Sequence, residues 1–319
     1  MERIAGDLRS GKLAGVLVRA SNIENSTQLG RLLAAIASAA GQDAPLVAIE
    51  QPGGPDSMLS EEKGFGFYDS ANAAGNGTAT QARTQYEAMA GELAALGITL
   101  NIGPSEDACR RQGIELSANC FGSASPAIAA YARAFNSGHH GRGVLTALRH
   151  APFRPGLRTI WGQDRPSAAL LHMVLKSEPS DALIIGVKAM ETMHYLDVSL
   201  GTAGTAGGRA ERNTFHEALI FEMDMPAGAP AIYGENVVRA LQSGADMILI
   251  REPSALPANI AALSVEAIQS ALKSGRLPMA RLEDAGHHAQ TLKARLQALL
   301  AGSRMADLNP GRAPRLAGE

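Results

Sequence analysis

Short apolar runs alternate with longer amphipathic stretches along most of the chain. Seven runs of three to five residues are rich in Val, Ile and Leu and do not alternate with polar residues: Ala14–Val18, Leu46–Ile49, Ile98–Ile102, Val144–Leu148, Leu183–Val187, Leu219–Phe221 and Met247–Ile250. Continuous apolar runs of this length are typical of parallel strands that are buried on both faces. The pattern therefore predicts seven parallel strands.

Helix-like stretches separate these predicted strands. They cover Arg3–Ser10, Gln28–Ala40, Gln81–Leu96, Ala127–Ser137, Ser167–Lys176, Glu235–Ser243, Val265–Ser274 and Ala280–Leu300. Ser or Thr precedes several of them and Gly follows others, and these are the residues that helix ends prefer. Regular alternation of strand and helix predicts a parallel sheet with helical crossovers.

Both a doubly wound sheet and a closed barrel fit this alternation. No Gly-x-Gly-x-x-Gly follows an early strand, so nothing supports a dinucleotide-binding fold. Regular strand spacing favours an α/β fold of the TIM type, a (β/α)8 barrel. Seven strands are one short of eight, so such a barrel would lack its first strand. We expect one barrel domain over residues 1–305 and a loose C-terminal tail over 306–319.

The amino-acid composition and the net charge exclude several classes of function. Hydrophobic residues make up 45% of the 319 residues, charged residues 19%, and the net charge is −2. This balance argues against a nucleic-acid partner and against disorder. No apolar run approaches the roughly 20 residues that span a bilayer, which argues against a membrane partner. Two cysteines, Cys109 and Cys120, are too few for a disulfide framework, so we expect inert thiols and a cytoplasmic location.

Candidate chemistry follows four of the predicted strands. In (β/α) barrels the reactive groups lie on the loops at the carboxyl ends of the strands. Such positions are held by Glu50, Asp107, Arg149, His150, Glu222 and Asp224. An Arg-His pair beside several carboxylates suits a polyhydroxylated ligand, because charged hydrogen-bond partners hold sugars. Each residue also has a structural alternative as a helix cap, a turn residue or half of an ion pair.

Other conspicuous motifs carry weaker signals. The adjacent pairs His139-His140 and His287-His288 would point in different directions on a helix, so we expect no zinc there. The glycine-rich Gly201–Gly208 segment lacks the Lys-Ser/Thr of a phosphate-binding P-loop and is more typical of a flexible lid or linker. No metal or organic cofactor is implied.

Several segments, taken in order, follow the motifs of a known enzyme family. Gly15–Val18 with Asn22–Asn25 resembles "GGVILF…NIE", Pro45–Gly54 resembles "LLVAVDQEGG", Glu92–Asn101 with Gly103-Pro104 is close to "ELRALGINLNFAP", Arg149-His150 stands at "KHFPGHG", and Ala240–Ile250 matches "AL.AGADMVLI". Together these segments resemble glycoside hydrolase family 3, in its single-domain β-N-acetylhexosaminidase branch. The resemblance covers most of the chain. It implies a retaining glycosidase, in which a carboxylate attacks the anomeric carbon and a second group serves as acid and base.

The catalytic positions depart from the family pattern. The resemblance implies an aspartate nucleophile in a "SDDL" motif, and Met223 falls at that position between Glu222 and Asp224. It also implies an Asp-x-His acid/base dyad, but the corresponding loop over 153–165 contains Asp164 and no such dyad. A one-residue slip could let Glu222 or Asp224 substitute, although alternation along a strand turns one of any two neighbours away.

Positions that would bind substrate also differ. By the resemblance, Arg149 replaces a lysine, Glu50 an aspartate, Asn119 an arginine and Lys188 a histidine, while His150 is kept and Asp107 would support the site. Losing a nucleophile and an acid/base group costs several orders of magnitude in rate.

We therefore interpret the chain as a family member whose hydrolysis is weak or lost. Three alternatives stay open. The first is a working β-N-acetylglucosaminidase that uses Asp224 or Glu222 as nucleophile and Asp164 as acid. The second is a non-catalytic barrel that binds a small saccharide, a glycoside or a protein partner. The third is a scaffold or oligomerisation subunit. The sequence decides neither the enzymatic status nor the oligomeric state.

Overall fold

The computed structural model describes residues 2–41, 44–105, 118–121, 125–150, 180–187, 217–223, 230–250 and 259–308. The predicted helix Ser167–Lys176 and the glycine-rich segment Gly201–Gly208 lie outside these residues.

Seven parallel strands form a single sheet in the described chain. They are β1 Gly15–Val18, β2 Leu46–Glu50, β3 Leu100–Ser105, β4 Leu145–His150, β5 Ala182–Val187, β6 Ala218–Met223 and β7 Met247–Ile250. Each strand pairs with the next in chain order, so β1 and β7 are the edges of the sheet. The sheet curves into a nearly closed barrel of the TIM type with one strand fewer than eight. This confirms the predicted fold class, and each predicted strand overlaps an observed one.

Helices flank the strands. They are α1 Glu2–Arg9, α2 Ser26–Ala40, α3 Ala71–Ala74, α4 Ala79–Leu96, α5 Ser125–His140, α6 Pro230–Gln242, α7 Ile260–Lys273 and α8 Met279–Leu308. Asn25 caps the start of α2, and Thr78 forms a capping box with Gln81 at the start of α4. Helix α8 continues through Leu308, three residues into the segment predicted as a tail, and residues 309–319 lie outside the described chain.

Side chains on each strand alternate between two apolar layers. The inner layer fills the barrel with Leu46, Ala48, Leu100, Ile102, Leu145, Ala147, Ala182, Ile184, Ala218 and Ile220. The outer layer packs against the helices, as Leu219, Phe221 and Met223 of β6 do against Tyr233 and Val237 of α6. Because neighbours on a strand face opposite sides, the layer of any strand residue follows from its position.

Helix α8 closes the amino end of the barrel. Leu292 and Leu296 on this helix are buried within the inner layer. Arg281 and Arg295 of α8 form ion pairs with Asp246 and Asp181, which directly precede β7 and β5. The carboxyl ends of the strands therefore remain as the mouth of the barrel.

Two further features bear on the sequence predictions. Cys120 is disulfide-bonded, contrary to the expectation of inert thiols, because a count of two excludes a disulfide framework but not a single disulfide. The other cysteine, Cys109, lies outside the described residues. Among the helices that are described, none combines the length and apolarity needed to cross a bilayer.

Candidate functional site

Three charged side chains share the inner face of the barrel at its mouth. Glu50 pairs in register with Ile102, and Arg149 pairs with Ile184, both of which belong to the inner layer. Glu222 lies two residues beyond the inward-facing Ile220 on β6. Residues in register, and residues two apart on a strand, share a face of the sheet. Glu50, Arg149 and Glu222 therefore form one charged layer above the apolar core.

The arginine joins the two carboxylates. Nη1 of Arg149 donates a hydrogen bond of 2.7 Å to Oε2 of Glu222, and Nη2 pairs with Oε1 of Glu50. The Arg149 side chain is 26% exposed, against 12% for Glu50 and 9% for Glu222, so Arg149 is the most exposed of the three side chains. A guanidinium has five N–H donors, and two of its nitrogens make these contacts. We call these three residues the mouth cluster.

A buried hydrogen-bond network supports the loop that follows Glu50. The amide of Asn101 exchanges two hydrogen bonds with the backbone of Gln51, at 3.0 and 2.9 Å. Gln51 in turn exchanges two hydrogen bonds with the backbone of Leu59, at 3.1 and 2.9 Å. The side chain of Gln51 is only 1% exposed, so these bonds hold the loop from inside the protein.

His139 anchors that network as a neutral imidazole. Nδ1 donates to the carbonyl oxygen of Phe135 at 2.8 Å, and Nε2 accepts from the amide of Asn101 at 2.9 Å. Burial lowers the pKa of His139 from its ordinary 6.5 to about 4. Its neighbour His140 turns away to Oδ2 of Asp181 at 2.7 Å. The prediction that this histidine pair diverges is confirmed, but the sequence did not reveal the link from His139 to the Glu50 loop.

The loop after β2 requires glycine where it meets the segment over 68–70. Gly53 has a φ of 91°, and a Cβ at this position would lie 2.1 Å from the carbonyl oxygen of Asp69. Farther along the same loop, Asp56 accepts a hydrogen bond from the amide of Asn119. Asn119 stands where the resemblance implies a sugar-binding arginine, and in this structure its amide contacts a neighbouring loop.

Met223 occupies the position at which the resemblance implies a nucleophile. Its side chain is 2% exposed and packs in the outer layer with Phe221 and Tyr233. It therefore points toward helix α6 rather than into the mouth. Alternation on β6 instead directs Glu222 inward, so Glu222 is the described carboxylate of this motif that faces the mouth.

The remaining predicted site residues are not all described. Asp107, Asp164, Lys188 and Asp224 lie outside the described residues. His150 ends β4, and the description of this residue is limited to its backbone. The structure thus brings together Glu50, Arg149 and Glu222, and places Asn119 on the adjoining loop.

The second predicted histidine pair lies at the other end of the barrel. His288 lies near Asp246 and Asp284, with ligand-type atoms that are all within 4.8 Å of one another. Arg281 already pairs with both carboxylates, and Nδ1 of His288 hydrogen-bonds to the carbonyl oxygen of Asp284 at 2.9 Å. These contacts fit a structural ion-pair cluster better than a metal site, because the guanidinium already occupies both acids.

A parallel barrel with a charged layer at the carboxyl ends of its strands defines a class of protein with a ligand site at the mouth. Residues 1–156 match the family model "Glycosyl hydrolase family 3 N terminal domain". A Beta-hexosaminidase of Xanthomonas campestris pv. campestris (strain B100) is 24% identical over 288 residues, which cover 84% of this chain and 86% of that protein. Beta-hexosaminidase LpqI of Mycobacterium tuberculosis is 24% identical over 284 residues, which cover 80% of this chain and 70% of that protein.

Two solved structures share the fold of this chain. M tuberculosis LpqI superposes with a TM-score of 0.67 and 22% identity over 91% of this chain and 88% of that one. A glycoside hydrolase family 3 β-N-acetylglucosaminidase from Paenibacillus sp. str. FPU-7 has a TM-score of 0.69 and 18% identity over 94% of this chain, which spans 59% of that enzyme. Over residues 1–156 the chain is therefore similar to glycoside hydrolase family 3, and over most of its length it is similar to proteins named Beta-hexosaminidase.

Proposed function

We propose that the mouth cluster binds a small saccharide or glycoside, and that hydrolysis of the glycosidic bond is weak or lost. The observation that carries this proposal is the orientation of β6 at its carboxyl end. Met223, at the nucleophile position, is buried against α6, while the inward Glu222 is committed to an ion pair with Arg149. A retaining mechanism needs a free carboxylate at the anomeric carbon and a second acid about 5–5.5 Å away.

Saccharide binding is supported by the chemistry of the mouth. The cluster offers guanidinium donors and carboxylate acceptors that are already held in position, and pre-organised groups lose little entropy when a ligand binds. Charged partners form stronger hydrogen bonds to hydroxyl groups than neutral ones do. The relatives named Beta-hexosaminidase add support for an amino-sugar ligand, since this chain covers most of their length.

Catalysis is tested with a chromogenic β-N-acetylglucosaminide. We expect no turnover above the blank for the unaltered chain at high protein concentration. Turnover that is abolished in Glu222→Gln or in Asp224→Asn would overturn the proposed loss of hydrolysis. Such a result would instead support the alternative of a working glycosidase that uses one of these carboxylates.

Binding is tested separately by calorimetric titration with N-acetylglucosamine and short chitin fragments. We expect saturable binding by the unaltered chain. The affinity should fall at least about tenfold in Arg149→Met, because this variant loses one charge-assisted hydrogen bond to the saccharide. Arg142→Met is the matched control, because Arg142 forms an exposed pair with Glu87 at 3.1 Å. Flat titrations across a set of glycans would refute saccharide binding.

The proposal also covers cellular location and the classes of partner. We propose a cytoplasmic protein without a nucleic-acid or membrane partner, on the basis of its near-neutral charge and moderate hydrophobicity. Disulfides are rare in reducing compartments, so the oxidation state of Cys120 is the sharpest test of this location. Fractionation of the native source, with thiol labelling of the purified chain, tests this: a fully oxidised protein outside the cytoplasm would refute it.

A further inference from the structure

A cavity of about 790 Å³ opens at the amino end of the barrel, opposite the mouth cluster. Its walls come from α1, the end of α2, the residues just before β1 and β2, the first residue of β7, and α8. The lining residues are Leu8, Arg9, Gly11, Leu13, Ala14, Ala40, Gly41, Pro45, Leu46, Met247, Gly286, Ala289, Gln290 and Lys293.

The cavity lies between the two edges of the sheet. Ala14 directly precedes β1 and Met247 begins β7, and these two strands are the edges of the seven-stranded order. An eighth strand would close a TIM-type barrel at this place. The described chain has helix α8 across the base of the gap, which leaves a space beside the helix rather than a packed core.

The lining has the chemistry of an aliphatic binding site. Its large apolar side chains are Leu8, Leu13, Leu46 and Met247, and no aromatic side chain is among the described lining residues. Flexible aliphatic and thioether side chains adapt to an alkyl chain, whereas flat rings are usually held by aromatic partners. The volume falls within the range of small-molecule sites, roughly 300–1,000 Å³.

The described residues that line this cavity carry positive charge. Among them, Arg9 and Lys293 are the charged residues, and none is a carboxylate. In the described part of the chain, neither cation makes a hydrogen bond or ion pair. A cationic rim above an aliphatic lining is complementary to a ligand that carries an anionic head on an apolar chain.

We propose that this cavity binds a long-chain carboxylate of the fatty-acid class. The alkyl chain lies along Leu8, Leu13 and Met247, and the carboxylate faces Arg9 and Lys293 at the rim. The proposal is independent of saccharide binding, because the two sites lie at opposite ends of the barrel and share no residue.

Calorimetric titration of the full chain with laurate, below the concentration at which it forms micelles, tests the proposal. We expect saturable binding of one laurate per chain. Decanoate, two methylenes shorter, should bind about tenfold more weakly, because each buried methylene contributes about fourfold in affinity. 1-Dodecanol should bind several-fold more weakly than laurate at low salt. Equal binding of the alcohol, or no saturation with any chain length, would overturn the proposal.

Two glycines of α8 provide a matched pair of variants. A Cβ on Gly286, which lines the cavity, meets nothing within 4 Å, and the same holds for Gly302, which does not line it. Both changes to Leu replace a helical glycine with a strong helix former, so both variants should fold. Gly286→Leu should reduce laurate affinity at least tenfold by filling the cavity, and Gly302→Leu should leave it unchanged. Undiminished binding in Gly286→Leu would place the laurate elsewhere and refute the proposed site.

The rim is tested with the double variant Arg9→Gln and Lys293→Gln. Because both residues are surface cations, we expect a three- to fivefold loss of laurate affinity at low ionic strength and a smaller loss in high salt. The affinity for 1-dodecanol should not change. An equal loss for both ligands would contradict the assignment of these cations to the carboxylate.

Discussion

Two arginine-centred clusters lie at opposite ends of the barrel and serve different purposes. At the mouth, Arg149 pairs with Glu50 and Glu222, which come from two other strands. At the amino end, Arg281 of α8 pairs with Asp246 at 3.0 Å. Both clusters place a guanidinium between acidic side chains, yet their contacts with the backbone differ.

The cluster at the amino end is tied to the main chain. Arg281 donates to the carbonyl oxygens of Leu241 and Ala245, at 2.9 and 2.6 Å. Asp246 accepts a hydrogen bond of 2.9 Å from the backbone amide of Leu219, one residue before the pairing of β6 with β7 begins at Ile220 and Met247. These bonds hold strand ends and a helix in one arrangement, so the charges act as part of the architecture.

The ion pairs of the mouth cluster, among the described residues, join side chain to side chain. The pair between Arg149 and Glu222 joins residues 73 positions apart, and the arginine is 26% exposed against 16% for Arg281. Charges at the mouth that are partly exposed to solvent can meet a ligand, whereas charges that hold the backbone serve the architecture. The comparison teaches that backbone engagement, rather than residue type, separates a structural ion pair from a candidate site.

The largest expected effect is at the amino end. Arg281→Met should lower the free energy of unfolding by about 3–5 kcal/mol, because it leaves the buried Asp246 without its cation. Urea denaturation of the purified variant measures this change. The control Arg276→Met removes an exposed pair with Glu235 and should cost less than about 1 kcal/mol. Equal losses of unfolding free energy in the two variants would show that the Arg281 cluster is no more structural than an exposed ion pair.

The histidine behind the mouth should make stability depend on pH. The pKa of His139 is about 4 in the folded protein, below its ordinary 6.5. Because the unfolded chain binds a proton first, stability is fully present above pH 6.5 and falls by about 3 kcal/mol as the pH drops to 4. His139→Asn should be less stable at pH 7 but should lose this part of the pH dependence. An unchanged slope in the variant would contradict a buried neutral imidazole.

At the mouth itself, Arg149→Met should cost less stability than Arg281→Met. We expect a loss of about 1–2 kcal/mol at pH 7, because Glu50 and Glu222 then lose the guanidinium that joins them but keep some contact with water. Urea denaturation of the purified variant measures this loss. A loss as large as that of Arg281→Met would mean that the mouth cluster is mainly structural.

The sequence predicts the fold of this molecule better than the contacts in its candidate functional site. Strands buried on both faces leave continuous apolar runs, so all seven described strands were predictable from the pattern of residues. The contacts of Arg149 were not, because they depend on how strands far apart in the chain curve together. For the same reason the link from His139 to Asn101, across 38 residues, was not predicted. The cavity beside α8 also has no sequence signal, since it arises where two sheet edges fail to meet.

The smallest expected effect is at Met223, the position of the family's nucleophile. It tests whether the side chain at this position of β6 points toward α6 or into the mouth. Met223→Leu keeps the volume of an apolar side chain in the outer layer, so it should change stability by less than about 1.5 kcal/mol. Saccharide affinity in calorimetry should not change, because the side chain does not reach the mouth. The companion variant Met223→Asp buries a carboxylate beside Phe221 and Tyr233, and should destabilise the fold by several kcal/mol without restoring hydrolysis. A stable Met223→Asp protein that cleaves the chromogenic substrate would show that this position turns into the mouth, and the contrast between an inward Glu222 and an outward Met223 would fail.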